Sequence, residues 1–81
     1  MPYINQSRRC DLMECHDSPK NPGELNFLIT EQLRRYGQAH GLSYHVMNDC
    51  LGALEGAKLE FYARVVRPYE DKKIKTNGDV Y

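Results

Sequence analysis

Three side chains near the start of the chain, Cys10, Cys15 and His16, are of the types that bind zinc. Zinc sites use thiolates and imidazoles in local pairs, usually four ligands in all. Here four residues separate the two cysteines, no second cysteine pair follows, and His45 or Cys50 would have to complete the set. We therefore expect no metal, free thiols beside a short helix, and Cys50 as a small core residue.

His45 and Asp49 are four residues apart, so a helix would place them on one face. An Asp that orients a His is part of a general base, but no serine or cysteine nucleophile motif accompanies this pair. Glu55 and Glu60 diverge around a helix and do not form a paired-carboxylate site. We expect a protein that is not an enzyme and needs no cofactor. A small enzyme of phosphate chemistry is a further alternative.

The remaining candidate site is basic and lies near the end of the chain, where residues 64–81 carry five basic and three acidic side chains. Arginine and tyrosine together suit a phosphate with a stacked base, and both are enriched at protein interfaces. A solvated helix end with lysines near its negative pole is the alternative interpretation. The predicted residues that bind a ligand or partner are Arg64, Arg67, Tyr69 and Lys72.

Composition limits the architecture that must position these residues. The chain has 81 residues, with 11 basic and 11 acidic side chains, which argues against a protein that coats polyanions. So short a chain forms one domain over 1–81 and commonly needs a partner to cover its apolar surface. No apolar run reaches the ~20 residues of a membrane span. An odd number of cysteines and no leader pattern indicate a reduced, cytoplasmic protein.

The expected fold class is all-α, a helical hairpin with short flanking helices. Residues 1–20 predict an extended arm at 1–6 and then a short helix that Ser7 caps and that ends near Cys15. Residues 21–41 predict a helix, because Asn21 is followed by a proline and a glutamate in a capping pattern. Its apolar face is Leu25, Leu28, Ile29, Leu33 and Tyr36, and it ends at Gly37 or Gly41.

Residues 43–67 predict a long helix, with Ser43 as N-cap and Pro68 as the residue that ends or kinks it. Apolar residues recur along it at alternating four- and three-residue spacing, interrupted once by a lysine. This seam runs Met47, Leu51, Leu54, Lys58, Phe61 and Val65. Both helices leave more apolar surface than one chain can cover, so the hairpins are expected to form a helical-bundle homo-oligomer, most simply a dimer.

Two glycines in the middle of the long helix, Gly52 and Gly56, are four residues apart and therefore lie on one stripe. Small residues at that spacing let another backbone approach closely. The approaching backbone belongs either to the first helix of the same chain or to a second copy. The residues predicted to take part in oligomer or helix packing are Gly52, Gly56, Met47, Leu54 and Phe61.

The basic C-terminal segment, residues 68–81, has two interpretations. Pro68 at its start, acidic residues in its first turn and lysines toward its end favour a short helix capped by Asn77-Gly78. The same Asn-Gly pair also fits a two-residue hairpin turn. We favour the helix, because three residues after the turn make a poor strand.

Five motifs follow one another along the chain. They are Met1-Pro-Tyr-Ile4, Asn21-Pro-Gly-Glu-Leu-Asn-Phe27, Leu51-Gly-Ala-Leu-Glu-Gly-Ala-Lys-Leu-Glu-Phe-Tyr62, Pro68-Tyr-Glu-Asp-Lys-Lys-Ile74 and Asn77-Gly-Asp-Val-Tyr81. In these motifs the chain resembles a small family of uncharacterised phage and prophage proteins, and only residues 7–20 depart from the pattern. The resemblance implies a viral or mobile-element origin and a place in the host cytoplasm. It implies no catalytic residues.

The leading functional hypothesis is a non-enzymatic binding protein of phage type. Such a protein, for example a counter-defence factor, would capture or block a host protein or a nucleotide signal. The alternative is a nucleic-acid-associated accessory protein that uses Arg8, Arg9 and the basic end. No membrane contact is expected.

Overall fold

A computed structural model describes residues 4–81, and every regular element in that range is helical. The fold class is therefore all-α, as the sequence predicts. Residues 1–3 of the predicted extended arm lie outside the described range. The elements are α1 (Gln6–Glu14), α2 (Pro22–His40), α3 (Tyr44–Phe61), a π-helical turn at Tyr62–Val66, and α4 (Arg67–Asn77).

The chain forms two compact units, residues 1–46 and residues 47–81. In the first unit α1 packs against α2, with Leu12 and Phe27 among its buried apolar side chains. A single domain over 1–81 stays a prediction.

The N-cap of α1 is Asn5, so the prediction of Ser7 is wrong. The Asn5 side-chain oxygen accepts a hydrogen bond of 2.8 Å from the Arg8 backbone N–H, and the helix begins at Gln6. Asparagine and serine are comparably good N-caps, so residue type alone does not choose between neighbouring candidates. With Asn5 as the cap, Ser7 becomes a residue of the first turn.

The predicted ends of α2 are confirmed. The Asn21 side chain accepts from the Glu24 backbone N–H at 2.9 Å, and Gly41 ends the helix with a φ of 80°, which favours glycine. Gly37 lies inside the helix and is buried. A Cβ at Gly37 would come within 3.1 Å of Leu42 Cδ1, so this glycine makes room for the leucine that follows the helix.

The apolar face predicted for α2 is not the face that the first unit buries. The buried side chains Glu24, Phe27 and Glu31 follow one stripe, whereas Leu25 and Ile29 are exposed. Two of these three buried side chains are acidic, and hydrophobic periodicity alone does not place acidic residues inside. Their burial depends on arginine partners, which are described below.

The sequence predicts that Pro68 ends or kinks the long helix at Arg67. An end is not observed, because residues 44–77 are continuously helical, but a π-helical turn at Tyr62–Val66 interrupts the α-helix there. A proline inside an α-helix clashes with the carbonyl four residues earlier. Here the π-helical turn comes directly before Pro68, and the Arg67 N–H donates to the Tyr62 carbonyl five residues back. The wider turn carries the helix past the proline, as π-turns in α-helices do.

The C-terminal segment is helical up to Asn77, which confirms the preferred interpretation over the hairpin. Gly78 has a φ of 84°, and its N–H donates to the Ile74 carbonyl at 2.8 Å. At the other end of this long stretch, the Ser43 hydroxyl accepts from the Val46 N–H, as an N-cap does.

Residues 47–81 contain no buried residue. Met47, Leu51, Leu54 and Phe61 on α3 are between 38% and 65% exposed. The helical hairpin and the homo-oligomer stay predictions. The apolar seam on which they were based is exposed to solvent in the described chain.

Replacement of Asn21 by alanine is expected to lower the free energy of unfolding by about 1 kcal/mol, because the Glu24 N–H loses its acceptor. Urea denaturation of the purified protein measures the change. Gln32→Ala, at an exposed position within the same helix, serves as the control and should change stability little. Equal effects of the two substitutions would contradict the capping role.

Candidate functional site

The basic end, residues 64–81, contains two arginines, Arg64 and Arg67. Each pairs with a carboxylate one helical turn away. Arg64 Nε lies 2.6 Å from Glu60 Oε2, and Arg67 Nε lies 3.1 Å from Asp71 Oδ1. All four side chains are more than half exposed. Exposed pairs at this spacing contribute only about 0.3–0.5 kcal/mol to stability, so they leave the guanidinium groups accessible to a partner.

The four predicted binding residues do not share one surface. Arg67 lines a groove of about 580 Å³ between α4 and the C-terminal residues, and Arg64, Tyr69 and Lys72 do not line it. Tyr69 instead contacts Lys73, whose Nζ lies 5.6 Å from the centre of the tyrosine ring. The structure therefore divides the predicted site into the groove and the exposed helix surface beside it.

Sequence reasoning missed Tyr62 and Lys73 as residues of the groove, although it included Arg67. Tyr62 reaches the same side as Arg67 because the π-helical turn makes a step of five residues between them. A proline in an otherwise unbroken helical pattern was the available signal for such a step. The groove is lined by Tyr62, Arg67, Glu70, Lys73, Ile74, Asn77, Gly78, Asp79, Val80 and Tyr81.

Charges of both signs line this groove. The positive residues are Arg67 and Lys73, and the negative residues are Glu70 and Asp79. Two tyrosines and two aliphatic side chains also line the groove. Anion sites gather positive groups without nearby carboxylates. This groove is suited to a mixed polar and apolar surface, such as a segment of another protein, better than to a phosphate.

None of the three cysteines considered as zinc ligands is fully buried. Cys10 and Cys15 are exposed, and Cys50 is half-buried rather than fully in a core. His16 takes a left-handed backbone with a φ of 54° directly after α1, so its position belongs to the turn that follows the helix. Within residues 4–81 no group of three or more side chains is placed to hold a metal ion.

Arg8 makes the contacts that join α1 to the start of α2. Its guanidinium donates to Glu24 Oε1 at 2.7 Å, to Asp17 Oδ2 at 2.8 Å and to the Ser18 carbonyl at 2.9 Å. The Lys20 backbone N–H donates to the same Glu24 oxygen at 2.9 Å. We name Arg8, Asp17 and Glu24 the Arg8 junction.

The Arg8 junction explains why Glu24 can be buried. The Arg8 guanidinium, followed by the Lys20 N–H, lowers the pKa of Glu24 to about 2. The side chains of Arg8 and Glu24 are only 16% and 12% exposed. In a capping box the Glu24 carboxylate would accept from the Asn21 N–H. Here it accepts instead from the Lys20 N–H, one residue earlier, and from the Arg8 guanidinium of α1.

Two further arginines of the first unit also have structural contacts. Arg9 lies with its guanidinium carbon 5.7 Å from the centre of the Phe27 ring. Arg34 donates to the buried Glu31 through Nε at 2.7 Å and through a second nitrogen, and this hydrogen-bonded pair raises the pKa of Arg34. Arg8 and Arg9, which the nucleic-acid alternative requires, are thus engaged in packing α1 on α2.

The predicted packing residues of α3 lie on two faces. At 3.6 residues per turn, Met47, Leu54 and Phe61 fall close together, whereas Gly52 and Gly56 lie about 160° around the helix from Leu54. A Cβ at either glycine would meet no atom within 4 Å. Neither glycine is required by a close approach within the described chain, so their part in packing stays a prediction.

The family model of a domain of unknown function, DUF6899, matches residues 1–80, and the chain belongs to this family. No curated protein matches the chain, and no solved structure matches it. Across residues 4–81, none of the helices has the length and apolar character needed to cross a membrane.

The free energy of unfolding should depend on pH through Glu24. Its pKa is about 2 in the folded chain against an ordinary 4.5, so its contribution is complete above the ordinary value and is lost as the pH falls toward 2. Glu24→Gln should therefore be less stable than the wild type at neutral pH, and the gap should close in acid. Urea denaturation at a series of pH values measures this gap.

The matched control for that experiment is Glu14→Gln, which removes an exposed carboxylate from α1. It should leave the pH dependence of stability close to that of the wild type. A gap between wild type and Glu24→Gln that stays constant down to about pH 2 would show that the charge of Glu24 is not what stabilises the Arg8 junction.

Proposed function

We propose that the protein is a non-enzymatic binding protein that acts as a helical homo-oligomer and captures a partner through its basic C-terminal end. One observation carries the proposal: residues 47–77 are helical and residues 47–81 contain no buried residue, so their side chains build surface rather than core. Arg64, Arg67 and Tyr69 are all exposed on that surface. Arginine and tyrosine are the residue types that most often anchor protein interfaces.

The partner we favour is a host protein rather than a nucleotide. Each arginine of the basic end already has a carboxylate beside it, which reduces the positive potential that a phosphate needs. The groove beside Arg67 mixes both charges with tyrosine and aliphatic groups, as protein interfaces do. If Arg64 or Arg67 left its intrahelical carboxylate to pair with a carboxylate of the partner protein, the chain would lose little stability, because the exposed intrahelical pairs contribute little.

The resemblance to phage and prophage proteins extends the proposal. It makes the partner a component of a bacterial host, in the host cytoplasm, and makes counter-defence a suitable role. The nucleic-acid alternative has less support, since Arg8 binds three oxygen acceptors and Arg9 packs on an aromatic ring.

Arg64→Ala combined with Arg67→Ala is expected to abolish capture and to keep the fold. The exposed pairs contribute little to stability, so the melting temperature should fall by no more than a few degrees. The tagged wild type and the double variant are compared after purification from host cells, and mass spectrometry identifies both proteins and small molecules. A component enriched only with the wild type is then tested for direct binding in purified form.

Lys20→Ala combined with Arg35→Ala is the control, because it also removes two exposed positive charges but from the first unit. This control should bind the partner like the wild type. Unchanged binding by the folded Arg64 and Arg67 double variant would contradict the proposed surface. Recovery of a nucleotide instead of a protein would contradict the proposed partner.

A further inference from the structure

The π-helical turn at Tyr62–Val66 changes the side of the helix on which Tyr62 lies relative to α4. In an uninterrupted α-helix, residues five apart lie about 140° apart around the axis. In a π-turn the hydrogen bond closes over five residues, and here the Arg67 N–H donates to the Tyr62 carbonyl. Tyr62 therefore lies on the same side as Arg67, as a residue four positions earlier would in an α-helix.

This placement adds Tyr62 to the groove that Arg67 lines. From Arg67 onward the groove follows the three- and four-residue spacing of α4, through Glu70, Ile74 and Asn77. Tyr62 lies five residues before Arg67 and lines the same groove. Its side chain is 46% exposed, so much of its surface is open to a partner. Tyrosine is also a residue type that anchors protein interfaces.

Pro68 is the residue that explains the π-turn. Its nitrogen carries no hydrogen and cannot donate to the Arg64 carbonyl four residues earlier, and its ring would clash with that carbonyl in an α-helix. The π-turn ends at Val66, two residues before the proline. Helix formation does not require a proline here, since alanine is strongly favoured over proline inside a helix. What the proline contributes is the extra residue in the turn, and with it the position of Tyr62.

We propose that Pro68 is a positioning residue of the capture surface and that, through the π-turn, it makes Tyr62 a further residue that contacts the partner. The inference rests on the proposed function, because it concerns the same C-terminal surface. In Pro68→Ala the new N–H can donate to the Arg64 carbonyl, so we expect the turn to become α-helical. Tyr62 would then rotate by roughly 100° around the axis, away from Arg67.

A pair of histidines measures the placement of Tyr62 without any partner. Two imidazoles on one side of a helix bind a metal ion together, and imidazole is a good ligand for Ni²⁺. Tyr62→His combined with Arg67→His should bind Ni²⁺ about tenfold more tightly than Arg67→His alone, because two linked ligands reach one ion. Isothermal titration calorimetry measures the affinities. Addition of Pro68→Ala should return the affinity to that of the single histidine variant.

The matched control is Tyr62→His combined with Val66→His in the Pro68→Ala chain. These positions are four residues apart and share one side of an α-helix, so this pair should bind Ni²⁺ tightly. Either of two results would overturn the placement. One is a Tyr62→His and Arg67→His pair that binds no more tightly than the single variant. The other is a pair that still binds as tightly after Pro68→Ala is added.

Relocation of the tyrosine tests its part in capture. In an uninterrupted α-helix, Ala63 would lie one turn before Arg67, where the π-turn places Tyr62. The probe is the host component that the wild type enriches, in purified form. Pro68→Ala should bind it about tenfold more weakly. Tyr62→Ala combined with Ala63→Tyr should restore binding in the Pro68→Ala chain but weaken it where Pro68 is retained.

Two results of the capture experiment would overturn the role of Tyr62. One is wild-type binding by Pro68→Ala, and the other is a relocated tyrosine that fails to restore binding. A wild type that captures no host component would contradict the proposed function and the contact by Tyr62 together. The Ni²⁺ affinities do not depend on capture, so they decide the positioning role of Pro68 separately.

Discussion

The exposed apolar surface of α3 is the feature on which the proposed homo-oligomer depends. Burial of apolar surface stabilises folded proteins by about 25 cal/mol per Å², and helices isolated in water are only marginally stable. No residue after Val46 is fully buried, and the exposed ones include Leu51, Leu54 and Phe61. In the proposed homo-oligomer, a second copy supplies the apolar contacts that this stretch does not make within the described chain.

The first unit covers apolar side chains through contacts between its own helices. Arg8 joins α1 to α2 through Glu24, and Leu12 and Phe27 are buried in the same unit. A buried carboxylate is tolerated because the guanidinium and a backbone N–H both satisfy it. The buried Glu24 and Glu31 are hydrogen-bonded to Arg8 and Arg34 respectively. Arg8, Arg9 and Arg34 of this unit are thus engaged in contacts with α2 side chains, whereas Lys20 and Arg35 are exposed.

Local signals made much of the fold predictable. Asn21, Ser43 and Gly41 act on neighbouring backbone groups, so sequence spacing was enough to place them. Two errors have physical causes: Asn5 and Ser7 are equivalent as caps by type, and Pro68 is tolerated only through hydrogen bonds of a π-turn. Arg8 and Glu24 of the Arg8 junction are sixteen residues apart in the sequence, so hydrophobic periodicity does not predict their contact. The basic site stays a prediction, and the extra residue of the π-turn changes which of its side chains line the groove.

Hydrogen exchange of the α3 amides as a function of protein concentration tests the central claim most directly. If α3 is stabilised by pairing, its protection should rise with concentration as the dimer forms, whereas the amides of α2 should change little. Protection of α3 that is strong and independent of concentration, down to the range where the chain is monomeric, would contradict the claim that this helix depends on a second copy.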